Sequence, residues 1–299
     1  MSARAALLGG FLADLALGDP VRWHPVAGFG RAALRLERAI YAPTRRHGAA
    51  FAAGLVGGCG LLAGVLGKLR RAPVLLALTW AALGGRSLVR EARRVAVALD
   101  AGELGAARAA LPALAGRDVE QLDEAGVSRA VVESVAENTG DAVVGALVWG
   151  AIAGPAGVAA YRAANTLDAL VGHRGERYLR FGWAAARLDD AMSWPAARLG
   201  ALLAVAAAPL VGGSPAAAWR VLRRDGGAHP SPNAGRLEAA FAGALGVRLG
   251  GPLSYEGRSE MRPNLGDGPP PDTAAIRRAT RLSLAVGAAA ATLCAGVSR

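Results

Sequence analysis

The chain has 299 residues, of which 53% are hydrophobic and 19% charged, with a mean hydropathy of +0.30. A soluble domain of this length rarely carries so much apolar surface, so the composition argues against an ordinary soluble enzyme and for a polytopic membrane protein. The formal charge of +11 favours anionic headgroups and phosphorylated or carboxylated substrates, whereas arginines scattered over every loop, with no aromatic-rich basic platform, argue against nucleic acid as a partner.

The first apolar stretch, Ala5 to Gly18, is interrupted by Asp14 and followed by Gly18-Asp19-Pro20. That turn fits a cleavable leader badly, so the stretch reads as a retained, partly inserted helix. Residues 49–67 carry no charge and match the roughly 20 residues needed to cross a bilayer. Residues 72–85 are shorter, and the flanking Lys68, Arg70, Arg71 and Arg86 suit an interfacial anchor. Further apolar runs cover Ala142–Ala160, Leu199–Val211 and Leu282–Val297. Cys59 and Cys294 both fall inside predicted spans and imply neither a disulfide framework nor a thiolate metal site. The fold class is therefore all-α: one membrane domain over 1–299, with polar segments at 87–140, 161–198 and 212–278 between the spans. The segment from Gly212 to Asp272 reads as a Gly/Pro-rich loop region.

Glu133, Glu137 and Asp141 stand at i, i+4 and i+8 just before the run that starts at Ala142. On an α-helix they stack within about 80° over roughly 12 Å, and their repulsion calls for a divalent cation or an arginine cluster. A solvated helix face explains the spacing equally well. Tyr161, Arg162, Asn165 and Asp168 then recur at three- to four-residue spacing, so one helix face presents a phenol, a guanidinium, an amide and a carboxylate. In an apolar helix such a face belongs against a polar cavity or the interface, because charge at a bilayer centre costs roughly 2.5–3.5 kcal/mol even on insertion scales. His173 follows in a loop. Asp189-Asp190 lies beyond Tyr178, Phe181 and Trp183, a tract that suits either a ligand role or an interfacial amphipathic helix. Finally, Ser231-Pro232-Asn233-Ala234-Gly235 opens an apolar-periodic helix, where the Ser231 hydroxyl and nearby amides would either cap the helix or meet an anion. No Walker-type phosphate loop or dinucleotide fingerprint is visible.

Three separated stretches in this order closely resemble the CobD/CbiB family of cobalamin biosynthesis: Gly18-Asp19-Pro20 with Trp23-His24-Pro25-Val26, the run from Glu133 to Asp190, and the run from His229 to Gly251. The likeness extends over nearly the whole chain. It implies an integral protein of the cytoplasmic membrane, an adenosylcobinamide-phosphate synthase. That ATP-consuming ligase joins the free propionate carboxylate of adenosylcobyric acid to the amine of (R)-1-aminopropan-2-yl phosphate. Mg²⁺ and ATP are implied with it, and membrane lipid, the corrinoid and the aminoalcohol phosphate are the implied partners. An acyl phosphate is the natural intermediate, and Glu133, Glu137 and Asp141 are candidates for a cation bridging phosphates and carboxylate. His24, His173 and His229, or Asp168 or Asp189, are candidates to take the amine proton. Arg162, Arg174 and Arg224 are candidates for the aminoalcohol phosphate, with Asn165, Ser231 and Asn233 beside them. A non-catalytic AmpE-like regulator and a metal-dependent lipid phosphotransferase are the alternatives.

Gathering the polar motifs at one site requires an even number of membrane crossings between neighbours. A single full span over Ala142–Ala160 violates that requirement. Gly154-Pro155-Ala156-Gly157 in its middle predicts two half-helices meeting in a re-entrant hairpin, and Leu199–Val211 is predicted to be short or broken as well.

Overall fold

The structure, a computed structural model, describes residues 1–19, 24–116, 118–173, 175–255 and 258–298. It is overwhelmingly helical, and four helical stretches among the described residues are long and apolar enough to cross a membrane: Arg45–Asp100, Glu124–Val171, Trp183–Val211 and Thr273–Val297. The protein is thus an all-α, multi-pass membrane protein. Two compact units are present. One comprises 1–84, 141–196 and 290–299, the other 85–140 and 197–289.

The first unit begins with α1 (Ala3–Leu17), capped by the Ser2 hydroxyl and ended by Gly18 at φ 66°, a left-handed value that glycine adopts cheaply. Trp80 donates its indole N–H to the Gly18 carbonyl across 3.2 Å and so ties α1 to α3. Helix α2 (Pro25–Ile40) is capped by His24. Helix α3 (Arg45–Ala82) joins the two apolar runs that the sequence separated at 67 and 72. The join is a kink: Arg70 is non-helical, and Pro73 has no N–H to give and a ring that crowds the carbonyl four residues back. The interfacial anchor expected over 72–85 is therefore the second half of a long bent helix.

Helix α7 (Gly145–Val171) contains the predicted reversal. Gly154 sits at φ 60°, ψ −142°, a conformation open essentially to glycine alone, and Pro155 follows. Beyond it the chain folds back. A Cβ on Gly157 would lie 2.2 Å from the Trp149 carbonyl oxygen, and one on Gly145 would lie 2.1 Å from the Tyr161 ring. In a straight helix residues 149 and 157 would be roughly 12 Å apart along the axis. The two arms instead pack antiparallel at contact distance, which only glycines permit. A short helix α8 (Tyr178–Phe181) leads into α9 (Trp183–Ala207), and Phe181 packs against Phe51 and Tyr41 with ring centroids 5.2 and 5.4 Å apart. The run Leu199–Val211 is accordingly not a separate short element. It is the distal part of a helix that starts at Trp183 and closes in a 3₁₀ turn over Ala208–Val211.

The second unit contains α4 (Gly85–Asp100), α5 (Leu104–Ala110), α6 (Glu124–Asn138), α10 (Pro215–Asp225), α11 (Ala234–Leu245) and a β-hairpin, with the first part of α12 (Thr273–Val297). The segment expected to be loop from Gly212 to Asp272 holds two of these helices and the hairpin. Strands β1 (Leu249–Tyr255) and β2 (Arg258–Leu265) pair antiparallel, with an irregularity between Leu249 and Gly251 where Gly250 and Gly251 take φ of 84° and 88°. Helix α11 is buried on almost every face, with Leu237, Phe241 and Leu245 inside. It approaches α10 so closely that a Cβ on Gly243 would lie 2.7 Å from the Ala218 Cα.

Candidate active site

In the first unit the second arm of α7 and the start of α9 turn their polar faces to each other. Tyr161 is fully buried, and its hydroxyl donates to the Asp141 carbonyl at 3.0 Å and lies 3.4 Å from Ser193 Oγ. Arg162 donates from Nη1 to Asn165 Oδ1 at 3.1 Å. Asn165 passes the relay on, donating from Nδ2 to Asp189 Oδ1 at 3.3 Å, where the Ser193 hydroxyl also donates at 3.4 Å. The amide of Asn165 is therefore fixed in both directions: its oxygen faces a cation and its nitrogen an anion. The i, i+4 spacing of Asp189 and Ser193 puts both on one face of α9, and Asp189 is only 8% exposed. Arg162 is half-buried, and its Nε, shielded from solvent, has no hydrogen-bond partner among the described residues. The same side chain lines a cavity of about 180 Å³ whose other walls include Val26, Phe29, Leu78, Val158 and Thr166. An apolar cavity with one guanidinium at its wall suits an anion carried on a short hydrocarbon.

Other expected residues belong to the same unit. Asp168 is one turn beyond Asn165 on α7, with its carboxylate against the backbone of Gly172. His173 stacks edge-on with Tyr178, ring centroids 4.9 Å apart. His24 accepts from the Val26 N–H at Nδ1 (3.2 Å) and faces Asp19 Oδ1 from Nε2 at 3.5 Å. Both of its nitrogens are engaged in holding the start of α2. Arg174 lies outside the described residues.

The second unit holds the other group. His229 Nδ1 accepts from the Ser231 N–H at 3.0 Å, and Nε2 lies 3.0 Å from Arg262 Nη1 and 3.9 Å from Glu238 Oε1. Two donors thus face a ring that, when neutral, can accept from only one of them. Burial and then the charge of Arg262 push the His229 pKa below its ordinary value. The Ser231 hydroxyl accepts from the N–H groups of Asn233 and Ala234 at 3.3 and 3.2 Å, closing a turn just ahead of α11, whose N-cap is Asn233. Asn233 accepts from Arg198 Nη1 at 2.6 Å. Arg224 is held by two carboxylates, with bonds of 2.6 and 2.8 Å to Asp225 and 2.9 and 2.8 Å to Asp267. Its bond to Asp225 lowers the pKa of that carboxyl.

The carboxylate stripe does not form a preformed cage. Glu133 is buried, with Oε1 accepting from the Gly250 N–H at 2.8 Å, while Glu137 is exposed. The α-helical spacing itself ends at Asn138, because Thr139–Val144 is π-helical. Thr139 donates back to the Val135 carbonyl at 2.6 Å and lies 2.7 Å from Ser283 Oγ. Among the described residues no three His, Cys, Asp or Glu side chains are gathered to hold a metal ion. Ser193 and Arg262 were missed in the sequence. The i+4 spacing from Asp189 is a signal that could have revealed Ser193, whereas Arg262 lies on a hairpin that the glycines and prolines disguised as loop.

Residues 7–283 match the family model described as CobD/Cbib protein. The chain belongs to the CobD/Cbib family. It is 53% identical over 291 residues to the cobalamin biosynthesis protein CobD of Mycobacterium tuberculosis (strain ATCC 25618 / H37Rv), covering 96% of this chain and 93% of that protein. The cobalamin biosynthesis protein CobD of Chromobacterium violaceum is 46% identical over 282 residues, 91% of this chain and 89% of the relative. That of Geobacter metallireducens is 43% identical over 293 residues, covering 94% and 92%. No solved structure matches the chain. The Arg162–Asn165–Asp189 relay is thus a largely buried ionic arrangement in a membrane protein of the CobD/Cbib family.

Proposed function

We propose that the protein is an adenosylcobinamide-phosphate synthase of cobalamin biosynthesis in the cytoplasmic membrane. In this reading it joins the free propionate carboxylate of adenosylcobyric acid to the amine of (R)-1-aminopropan-2-yl phosphate at the expense of ATP. Membership of the CobD/Cbib family supports the pathway, and the relay that holds Arg162, a residue lining an apolar cavity, is the observation that carries the chemistry.

A carboxylate does not acylate an amine until its oxygen becomes a leaving group. In the proposed sequence a carboxylate oxygen attacks the γ-phosphorus of ATP and ADP departs, leaving an acyl phosphate. The amine nitrogen then attacks the acyl carbon, the carbon–oxygen bond to phosphate breaks, and inorganic phosphate leaves with that oxygen. The proton released from the amine goes to a carboxylate of this chain, for which we assign Asp168, on the same stretch of α7 as Arg162 and Asn165. Arg162 binds the phosphate of the aminoalcohol, and the propyl chain occupies the apolar walls of the cavity. Asn165 and Asp189 are positioning residues that hold the guanidinium plane, so that a planar fork meets the phosphate without first being ordered.

An oxygen-label experiment tests the order of events. With adenosylcobyric acid labelled by ¹⁸O in the propionate carboxylate, one label should appear in inorganic phosphate for each amide formed. Label retained wholly in water or in the corrinoid would contradict activation by phosphoryl transfer.

A further inference from the structure

The start of α12 and the face of α4 beside it gather positive charge to which the proposed reaction assigns no role. A concave pocket of about 350 Å³ is lined by Arg93, Ala274, Arg277, Arg278, Thr280 and Arg281, and no acidic residue lines it. Asp100 pairs with Arg277 just outside, and Asp272 is turned to the helix start, where its Oδ1 accepts from the Ala275 N–H at 2.7 Å. Arg93, Arg278 and Arg281 make no hydrogen bond or ion pair among the described residues.

This arrangement is unfavourable when empty. Arg277 and Arg281 are at i, i+4, and Arg278 and Arg281 at i, i+3, spacings at which like charges on a helix repel. All three stand in the N-terminal part of α12. Arg93 adds a fourth guanidinium from α4. The neighbouring arginines of that helix differ: Arg90 and Arg94 are answered by Glu91 at 2.9 and 3.8 Å. A single compact anion with several oxygens would relieve all of these repulsions together, and planar guanidinium forks match phosphate oxygens. The volume is that of a ligand site rather than of a surface dimple. The pocket also sits at the polar start of an apolar helix long enough to cross a membrane, the level at which phosphate groups meet a bilayer.

We propose that Arg93, Arg277, Arg278 and Arg281 form a binding site for a phosphorylated anion, presented either by an anionic lipid headgroup or by a soluble polyphosphate. The inference does not require the synthase reading, and the triphosphate of the ATP consumed in that reading falls within the soluble polyphosphates it covers.

The test uses the full chain in detergent and in nanodiscs, with two probes: inorganic tripolyphosphate, and phosphatidylglycerol against a phosphatidylcholine background. The variant carries Arg93→Gln, Arg278→Gln and Arg281→Gln, and the control carries Arg90→Gln and Arg94→Gln. Arg277 is left in place because it pairs with Asp100. Tripolyphosphate binding weakened by roughly tenfold or more in the variant, with the control near wild type, identifies a soluble phosphate ligand. The same pattern in phosphatidylglycerol retention identifies a lipid. Without either probe the variant should melt at or above the wild-type temperature, since repulsion has been removed. If the triple variant fails to fold, Arg278→Gln alone is measured against Arg278→Lys. Equal binding by variant and control, or binding of neither probe by the wild type, overturns the proposal.

Discussion

Asn165 is the residue on which the proposed site turns, because it joins a cation and an anion that are both removed from bulk water. Asn165→Ala should raise KM for the aminoalcohol phosphate more than it lowers kcat, the pattern of a positioning role. A loss confined to kcat would place the amide in the chemical step instead. Arg162→Ala removes charge-assisted hydrogen bonds to phosphate, each worth about 1.5–3 kcal/mol, so kcat/KM should fall by roughly ten- to a hundredfold or more, measured with saturating corrinoid. In the second unit His229 gives a pH signature. The folded state binds a proton at His229 less readily than the unfolded chain, whose histidine titrates near 6.5, so unfolding takes up protons as the pH falls below about 6.5. Stability should decline from there, and at lower pH a further loss should follow as Asp225, lowered by Arg224, is finally protonated. Melting temperature against pH should fall below pH 6.5 in the wild type and be flatter between about pH 7 and 5 in His229→Gln. An identical slope would remove His229 as the cause.

At the scale of elements the hairpin in α7 depends on glycine. Gly154→Ala forces a side chain into a conformation that costs about 1–3 kcal/mol, and Gly157→Ala drives a Cβ into the Trp149 carbonyl. Both should lower the melting temperature in detergent, the second more than the first. A neutral result for Gly157→Ala would mean that the arms do not pack as described. This turn was legible in the sequence, because Gly-Pro-Ala-Gly inside an apolar run has few other uses. The join between residues 67 and 72 was not, since Lys68, Arg70 and Arg71 look like the end of a span, and only the packing of the bent helix decides otherwise. The Gly212–Asp272 region was misread for a related reason. Its glycines and prolines resemble loop punctuation, yet several serve close approach, as at Gly243 against α10, or positive φ, as at Gly250, Gly251 and Gly266. The Asn165–Asp189 contact could not be read, since the loop between α7 and α9 hides which faces meet. The carboxylate stripe was visible as a pattern, but the pattern assumed 3.6 residues per turn through a segment that is π-helical.

For the whole molecule, the four long apolar helical stretches among the described residues dictate behaviour before any chemistry does. The exposed side chains of Leu61, Leu62, Val65, Leu66 and Leu69 on α3 need lipid around them. The protein should therefore stay with the membrane pellet through high salt and alkaline carbonate and enter solution only with detergent, and release by carbonate alone would contradict the multi-pass reading. The family places the chain among proteins named for cobalamin biosynthesis, and the relay in the first unit supports an acyl-transfer reading of it. The most direct measurement is mass spectrometry of products after incubating the purified protein with adenosylcobyric acid, (R)-1-aminopropan-2-yl phosphate, ATP and Mg²⁺, with each omitted in turn. The account predicts adenosylcobinamide phosphate, formed only with the complete mixture and nearly lost in Arg162→Ala. Turnover of ATP or lipid phosphate without an amide product, in detergent and in native membranes alike, would contradict it.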